Sequence, residues 1–467
     1  MSGNRSLRVL FAFGNLASFR LQMLLAARLA ARGWAVSFLF WGERGDAAVP
    51  EMETEASRVG QFHCLADYSG EDVGPVQRLK KPYPWRSLRI RLATRGRQYQ
   101  RLRLFAGEHL KVMARSLAAL LDVKPDCVII SEDGVSSEFR FVSVAARLGI
   151  RIVTVPYGYN MRADIEHDLG RKQADGSLVM AEGRAGALLR RLAPHWIKTG
   201  RFAGAVMFPS DYILAAEMVG VTVPDPWIVH GGLADILCVE GEIALERYRK
   251  QRVPEAKLRL TGSPYCDEMH DSIASDPAAS EGYRAARPIE DGVLRILVSW
   301  FPSYHDDYRE KSEYPTYEEM SLELLRFLFG LKSAKVTLSL HPAVSGTHRD
   351  LLMSAGIPVT DEYVIGLIPK NDLFVTYFSS TIRWALAAGK PVVNYDAYKL
   401  HIDSFDSPGF VTTDSAAHFK ETLTELVENP DSYRSLAAQA IAAAPGWGLM
   451  DGRCTDRIIA EIERLAA

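Results

Sequence analysis

Three stretches decide the fold: Ser339-Leu340-His341-Pro342, Phe378-Ser379-Ser380-Thr381 and Gly389-Lys390-Pro391-Val392-Val393. The first closes the run Val336-Thr337-Leu338-Ser339-Leu340 with a proline that cannot continue a strand, so the imidazole of His341 is held at the strand's carboxyl edge. The second closes the mostly apolar run 373–378 with three hydroxyl residues, just before a helical stretch carrying Ile382, Ala385, Leu386 and Ala388. One hydroxyl is enough to cap that helix, whereas three, with an imidazole on the preceding strand, point to a phosphate-binding edge. An imidazole in that place can donate to a phosphate oxygen or deliver a proton to a leaving group.

Outward from these stretches the rhythm is α/β. In the second half, strands are expected over 294–300, 335–340, 373–377 and 391–395, with helices over 318–331 and 381–388. In the first half, strands are expected over 9–13, 35–41, 127–130, 152–155, 205–208, 236–239 and 258–260, separated by helices over 19–32, 97–121, 138–148, 212–219 and 243–250. Such alternation implies parallel sheets covered by helices on both faces. The polar passage 271–291 reads as a linker, giving a first domain over 1–285, a second over 290–445 and a C-terminal segment 446–467 whose helix crosses back. A chain of 467 residues accords with two such domains.

Composition excludes several function classes. A net charge of -2 argues against a general nucleic-acid binder. No stretch reaches the roughly 20 uncharged apolar residues that span a bilayer, and Gly14, Asn15 and Arg20 interrupt the first apolar run, which therefore reads as a buried strand and not as an export signal. The five cysteines lack paired spacing, so neither a zinc site nor a disulfide framework is expected, and the cytoplasm is the expected compartment.

Ser131-Glu132-Asp133-Gly134 ends the expected strand 127–130. A carboxylate at a strand's carboxyl edge can take a proton from an acceptor hydroxyl, and two adjacent acids raise each other's pKa. The alternative is a strand-ending turn in which Asp133 and Gly134 serve only the backbone.

Read together and in order, Glu132-Asp133-Gly134, His341-Pro342 and Ser379-Ser380-Thr381, divided between two α/β domains, resemble the motif set of bacterial sialyltransferases of the GT-B fold. The resemblance implies an α/β fold of two Rossmann-like, doubly wound domains facing a central cleft, the first on the acceptor side and the second binding the nucleotide sugar. It implies that Asp133, beside Glu132, is the general base, that His341 assists the departing phosphate, and that Pro342, Ser379, Ser380 and Thr381 line the phosphate. Glu362 stands where that family often has a carboxylate near the cytidine ribose. Gly262-Ser263-Pro264-Tyr265-Cys266-Asp267 is similar to a turn of many GT-B enzymes and of UDP-N-acetylglucosamine 2-epimerases, which puts Gly262 and Ser263 on the donor side. Ser303 joins them from a cleft-edge loop, whose neighbour His305-Asp306-Asp307 resembles a metal-binding pair although GT-B chemistry generally needs no bound metal.

Arg383-Trp384 stands where many sugar-nucleotide GT-B proteins carry a glutamate, so a UDP-sugar loses ground to a CMP-linked acidic sugar whose carboxylate or phosphate Arg383 can pair; the alternative is that Arg383 is only a solvated helix residue. Arg20, Tyr157 and Asn160, with His230-Gly231-Gly232, are the expected acceptor-side residues. The implied activity is inverting transfer of a nonulosonate or Kdo from a CMP donor to a hydroxyl of a glycan, lipid-linked or protein acceptor, with no further cofactor and no metal. The alternatives are a UDP-N-acetylglucosamine 2-epimerase-like enzyme and a non-catalytic glycan-binding or assembly protein.

Ten basic residues from Arg78 to Arg103 have no acid among them and are interleaved with Tyr83, Trp85, Leu88, Ile90 and Tyr99. A run of this sort is usually a solvated helix face, but such company suits an anionic membrane surface or an acidic glycan, and peripheral contact with the inner membrane or with an acidic acceptor is set beside that plainer reading.

Overall fold

Strands that are apolar on both faces can persist only where helices cover both faces. Cys127–Ile130, Ile236–Val239, Leu373–Thr376 and Val392–Tyr395 are buried along their whole lengths. The computed structural model of the chain describes residues 6–94, 96–158, 162–275, 292–401 and 405–466. It divides into two units, the first comprising Met1–Val239, Glu246–Arg259 and Asp456–Ala467, the second Glu240–Leu245 and Leu260–Thr455.

In the first unit the strands are β1 (Arg8–Phe13), β2 (Ala35–Phe40), β3 (Gln61–Cys64), β4 (Cys127–Ile130), β5 (Arg151–Thr154), β6 (Ile236–Val239) and β7 (Leu258–Leu260), in the order β3-β2-β1-β4-β5-β6-β7. From β1 to β6 the pairings are parallel. In the second unit β8 (Leu294–Trp300), β9 (Ala334–Leu340), β10 (Leu373–Thr376), β11 (Val392–Tyr395) and β12 (Phe410–Thr413) pair in parallel in the order β12-β11-β10-β8-β9. Strand order reverses between β1 and β4, and again between β8 and β10. Connections leave in opposite directions at such a reversal, which opens the carboxyl edge of the sheet to a ligand.

Three features depart from the sequence reading. Residues 205–208 form no sheet strand; Ala205 makes one isolated antiparallel bridge to Met180, and Phe208 is spent on aromatic packing against Phe139 and Tyr212. Four apolar residues suit a buried loop as well as a strand. The edge strands β3 and β12 were not expected, since their half-polar sequences carry little periodicity. The passage into the second unit comes at residue 260 and not near 285, because the Asp267 carboxylate accepts the backbone N–H groups of Cys454 (2.9 Å) and Thr455 (2.7 Å). The expected linker begins inside the helix Pro264–Ser275, and its remainder, 276–291, lies outside the described residues.

From Asp456 onward the C-terminal helix belongs to the first unit, where Asp456 pairs with Arg32 at 2.6 Å and Glu461 with Arg259 at 3.2 Å. All five cysteines are buried free thiols. Among the described residues no helix is long and apolar enough to cross a membrane.

Gly262 has φ +80°, and a β-carbon there would stand 2.2 Å from Cys454 Sγ. Gly262→Ala therefore combines left-handed strain with a clash against a buried side chain, and it is expected to cost more than ~2 kcal/mol, measured as a lowered urea midpoint with an unchanged slope.

Candidate functional site

The reversal in the first unit gathers polar side chains at the carboxyl ends of β1, β4 and β5. Asn15, the N-cap of the helix Leu16–Ala31, accepts the Ser18 N–H with its side-chain oxygen (2.9 Å) and donates its amide to the Tyr157 hydroxyl (3.1 Å). Those two bonds fix which way the amide faces. Ser18 bonds the hydroxyl of Ser131, the residue that ends β4's edge.

Next along the chain, Glu132 is half-buried and accepts the Ser136 hydroxyl at 2.7 Å. Burial raises its pKa, the Ser136 bond opposes this and the Asp133 charge adds to it. Tyr157 is raised in turn, first by burial and then by the Glu132 charge. Glu132 is therefore a carboxyl with a raised pKa at the carboxyl edge of the sheet, the kind of group that can serve as a general base or acid.

Asp133 does not share that environment. Its side chain is wholly buried, one oxygen accepting the Lys257 ammonium at 2.6 Å and the Ala234 N–H at 2.8 Å. Lys257 also donates to the carbonyls of His230 (2.8 Å) and Gly232 (3.5 Å). Gly232 is required there, since a β-carbon would lie 1.7 Å from the Asp133 carbonyl oxygen. The expectation that Asp133 is the base is corrected accordingly: the carboxylate points into the protein and is neutralised by a buried lysine. His230, itself buried, and Gly232 are parts of this clasp, while Gly231 accepts the Asp225 N–H at 2.9 Å.

In the second unit the edge strand β9, next to β8, delivers His341, whose ring is exposed while the protein crowded around it lowers its pKa. The backbone N–H of Ala343 donates to His341 Nδ1 at 3.1 Å. A backbone amide can only donate, so Nδ1 is the unprotonated nitrogen and Nε2 carries the proton outward. Pro342 is exposed in the following turn, closed by Val344 N–H on the His341 carbonyl at 2.9 Å.

β10 leads into Phe378, held at φ +24° by a bond from its N–H to the side chain of the buried Asn394 (2.7 Å). A positive φ at a bulky residue costs about 1–3 kcal/mol and persists only where the surroundings enforce it. The bend presents three half-buried hydroxyls. Ser379 and Thr381 bond each other at 2.7 Å, and the Ser379 hydroxyl also accepts the Thr381 N–H at 3.3 Å. The Ser380 hydroxyl has no protein partner among the described residues. The helix that follows, Ile382–Ala387, spans only 6 residues, so the donors of this edge are the side chains more than a helix end.

The other expected donor residues divide. Arg383 is fully buried, its guanidinium 3.0 Å from Glu240 and 4.1 Å above the Trp384 ring, and so is neither a solvated residue nor a ligand for a sugar carboxylate. Gly262 and Ser263 are buried at the start of the helix Pro264–Ser275, the Ser263 hydroxyl accepting the Tyr265 N–H at 3.3 Å; they are packing residues and not donor contacts. Glu362 is exposed and paired with Lys370. Ser303 is exposed in the loop after β8, its hydroxyl accepting the His305 N–H at 3.3 Å. On the acceptor side Arg20 pairs with Glu51 at 3.0 Å, and Asn160 lies outside the described residues. Lys257 and Asn394 were missed, because each serves its edge from more than ten residues away in sequence through a contact that no local pattern announces.

No protein-family model matches the sequence, and no curated relative does. Solved structures do. The UDP-GlcNAc 2-epimerase from Neisseria meningitidis bound to UDP-GlcNAc aligns over 98% of this chain and 99% of its own at 13% identity, with a TM-score of 0.50. CalG4, the calicheamicin glycosyltransferase, aligns over 99% and 100% at 13% identity, with a TM-score of 0.52. The wall teichoic acid polymerase TagF aligns over 98% and 88% at 11% identity, with a TM-score of 0.51. Likeness at this identity shows the fold, which is the GT-B type.

The Asp133–Lys257 pair carries a test of its own. Lys257→Ala strands a buried carboxylate and is expected to lower stability by ~3–5 kcal/mol. Combining it with Asp133→Ala should cost clearly less than the sum of the two single changes, as a double-mutant cycle of denaturation midpoints would record.

Proposed function

We propose that the chain is a metal-independent glycosyltransferase that uses a nucleotide-activated sugar, with the donor phosphate held by His341 and the Ser379–Thr381 hydroxyls and the acceptor proton taken by Glu132. The observation that carries this reading is the accessible His341 ring, whose Nδ1 is occupied by the Ala343 N–H so that Nε2–H is the free donor. A ring fixed this way donates to a phosphate oxygen without first being protonated, and its lowered pKa keeps it in that neutral form near neutral pH. The Ser380 hydroxyl supplies a second donor to the same charge.

In the reaction the bond between the sugar's anomeric carbon and the phosphate oxygen breaks with its electrons going to phosphate, while the acceptor oxygen bonds the anomeric carbon and its proton passes to Glu132. One displacement of this kind inverts the anomeric centre. Of the two acids, Glu132 takes the base's role because Asp133 is engaged by Lys257.

Among donors we put a CMP-linked nonulosonate or Kdo first, on the strength of the three motifs, with a glycan, lipid-linked or protein hydroxyl as acceptor. Arg383 lends that choice no support, since Glu240 holds it in the interior.

A melting-temperature panel with CMP, CDP, UDP and GDP tests the donor, because a ligand bound only by the native state raises the melting point. CMP is expected to give the largest shift; a shift with UDP alone, together with UDP release from UDP-N-acetylglucosamine without any acceptor, would move the assignment to an epimerase or hydrolase. Glu132→Gln is expected to lower turnover by ~10²–10⁴-fold while leaving the nucleotide shift intact. In the unsubstituted protein the acid limb of kcat/KM should lie above the ordinary carboxylate range, because the base form is lost as pH falls through the raised pKa. The stability consequence has the opposite sign. A carboxyl raised by burial stabilises the fold below its unfolded pKa, and that contribution is lost as pH rises through the folded value. Glu132→Gln should therefore melt no lower than the parent at pH ~8, and any advantage should vanish below pH ~4.

A further inference from the structure

The basic stretch resolves into two sets of residues. Lys81 and Arg86 face inward: the Lys81 ammonium donates to the Met218 carbonyl and to the Ser87 hydroxyl, both at 2.9 Å, and Arg86 pairs with the buried Glu217 at 2.8 Å. Glu217 also accepts from Trp196 (2.8 Å) and Thr222 (3.0 Å). Ser87 and Ile90 are buried, and Ser87 bonds the Met218 carbonyl. The inner face of the helix Pro84–Ala93 is thereby fastened to the first unit.

Among the described residues, none covers the outer face of the same helix. Trp85, Leu88 and Leu92, spaced three and four residues apart, form one stripe and are 50%, 57% and 68% exposed. Arg89 and Arg91 flank the stripe in solvent, the Arg89 guanidinium lying 5.4 Å from the Trp85 ring centroid. On either side Arg78, Lys80, Arg97 and Arg103 are exposed, as are Tyr83, Tyr99 and Leu104, while Arg101 pairs with Asp211; Arg95 lies outside the described residues. Of the 11 large apolar side chains exposed among the described residues, six fall between Tyr83 and Leu104. The chain's net charge is only -2, so this cationic, apolar concentration is local.

We propose that the outer face of the helix Pro84–Ala93 docks on a bilayer surface bearing anionic headgroups, with Trp85, Leu88 and Leu92 entering the interface and the flanking arginines meeting lipid phosphates. An acidic glycan would engage the arginines and leave the leucines in water. A nucleic acid would stack on Trp85 and do the same. A bilayer surface, with charge outside and hydrocarbon beneath, meets both halves of the pattern. This inference stands independently of the donor and the base proposed above.

The full chain is sedimented with vesicles of phosphatidylcholine alone, or with about a third phosphatidylglycerol. Partition onto the anionic vesicles, weakened by added salt, is the expected result. Arg89→Gln with Arg91→Gln should lower the partition coefficient about thirtyfold, the loss corresponding to two cations near an anionic surface. Leu88→Ser with Leu92→Ser should lower it while leaving the melting point unchanged, since neither side chain supports the core. Failure of the parent chain to bind anionic vesicles, or binding that the leucine pair leaves intact, overturns the proposal; the second outcome assigns the arginines to a soluble polyanion.

Discussion

A carboxylate taken wholly out of water must find a cation and hydrogen-bond donors, or it costs several kcal/mol. Asp133 meets that condition through Lys257 and the Ala234 N–H, and the carboxyl edge of the first sheet is arranged around it. Asp133 is committed inward, whereas Glu132 accepts the Ser136 hydroxyl and lies near Tyr157. One acid is thus held in a buried ion pair, while the other keeps a partly desolvated carboxyl. The buried pair thereby separates the environments of two chemically similar groups.

The second edge follows the same logic with neutral groups. His341 is oriented by a backbone amide that cannot move without disturbing the turn after β9, and the hydroxyl loop after β10 is set by the strained Phe378, which Asn394 on β11 holds in place. In both cases the group presented outward is fixed by a partner that is itself part of the sheet's edge. Preorganised donors need no rearrangement when negative charge builds on a leaving phosphate, which is what makes such an arrangement effective in a transition state.

Much of this was legible in the sequence because parallel sheets announce themselves as short, wholly apolar runs, and because a proline after His341 and a row of hydroxyls after Phe378 mark strand ends. What stayed hidden depends on partners remote in sequence. Nothing near Arg383 indicates that Glu240 holds it in the interior, nor does anything near Asp133 indicate Lys257. The motif resemblance put the base on the second acid of the pair, and only burial tells the two apart. Residues 205–208 misled for a different reason, since apolar residues buried by aromatic stacking look like a strand when no partner strand is in view.

Two buried acids of the second unit, Glu240 and Asp267, sit close to where the chain enters it. Glu240, the first residue of the short segment Glu240–Leu245, meets Arg383; Asp267 binds the backbone at Cys454 and Thr455, the last residues before the chain returns to the first unit. Apolar packing alone would tolerate a slip of such a segment by a residue, because one leucine or valine substitutes for another at little cost. A buried charge permits no slip, since displacing it strands both partners. Arg383 is therefore better understood as a register pin for the segment 240–245 than as a reader of substrate.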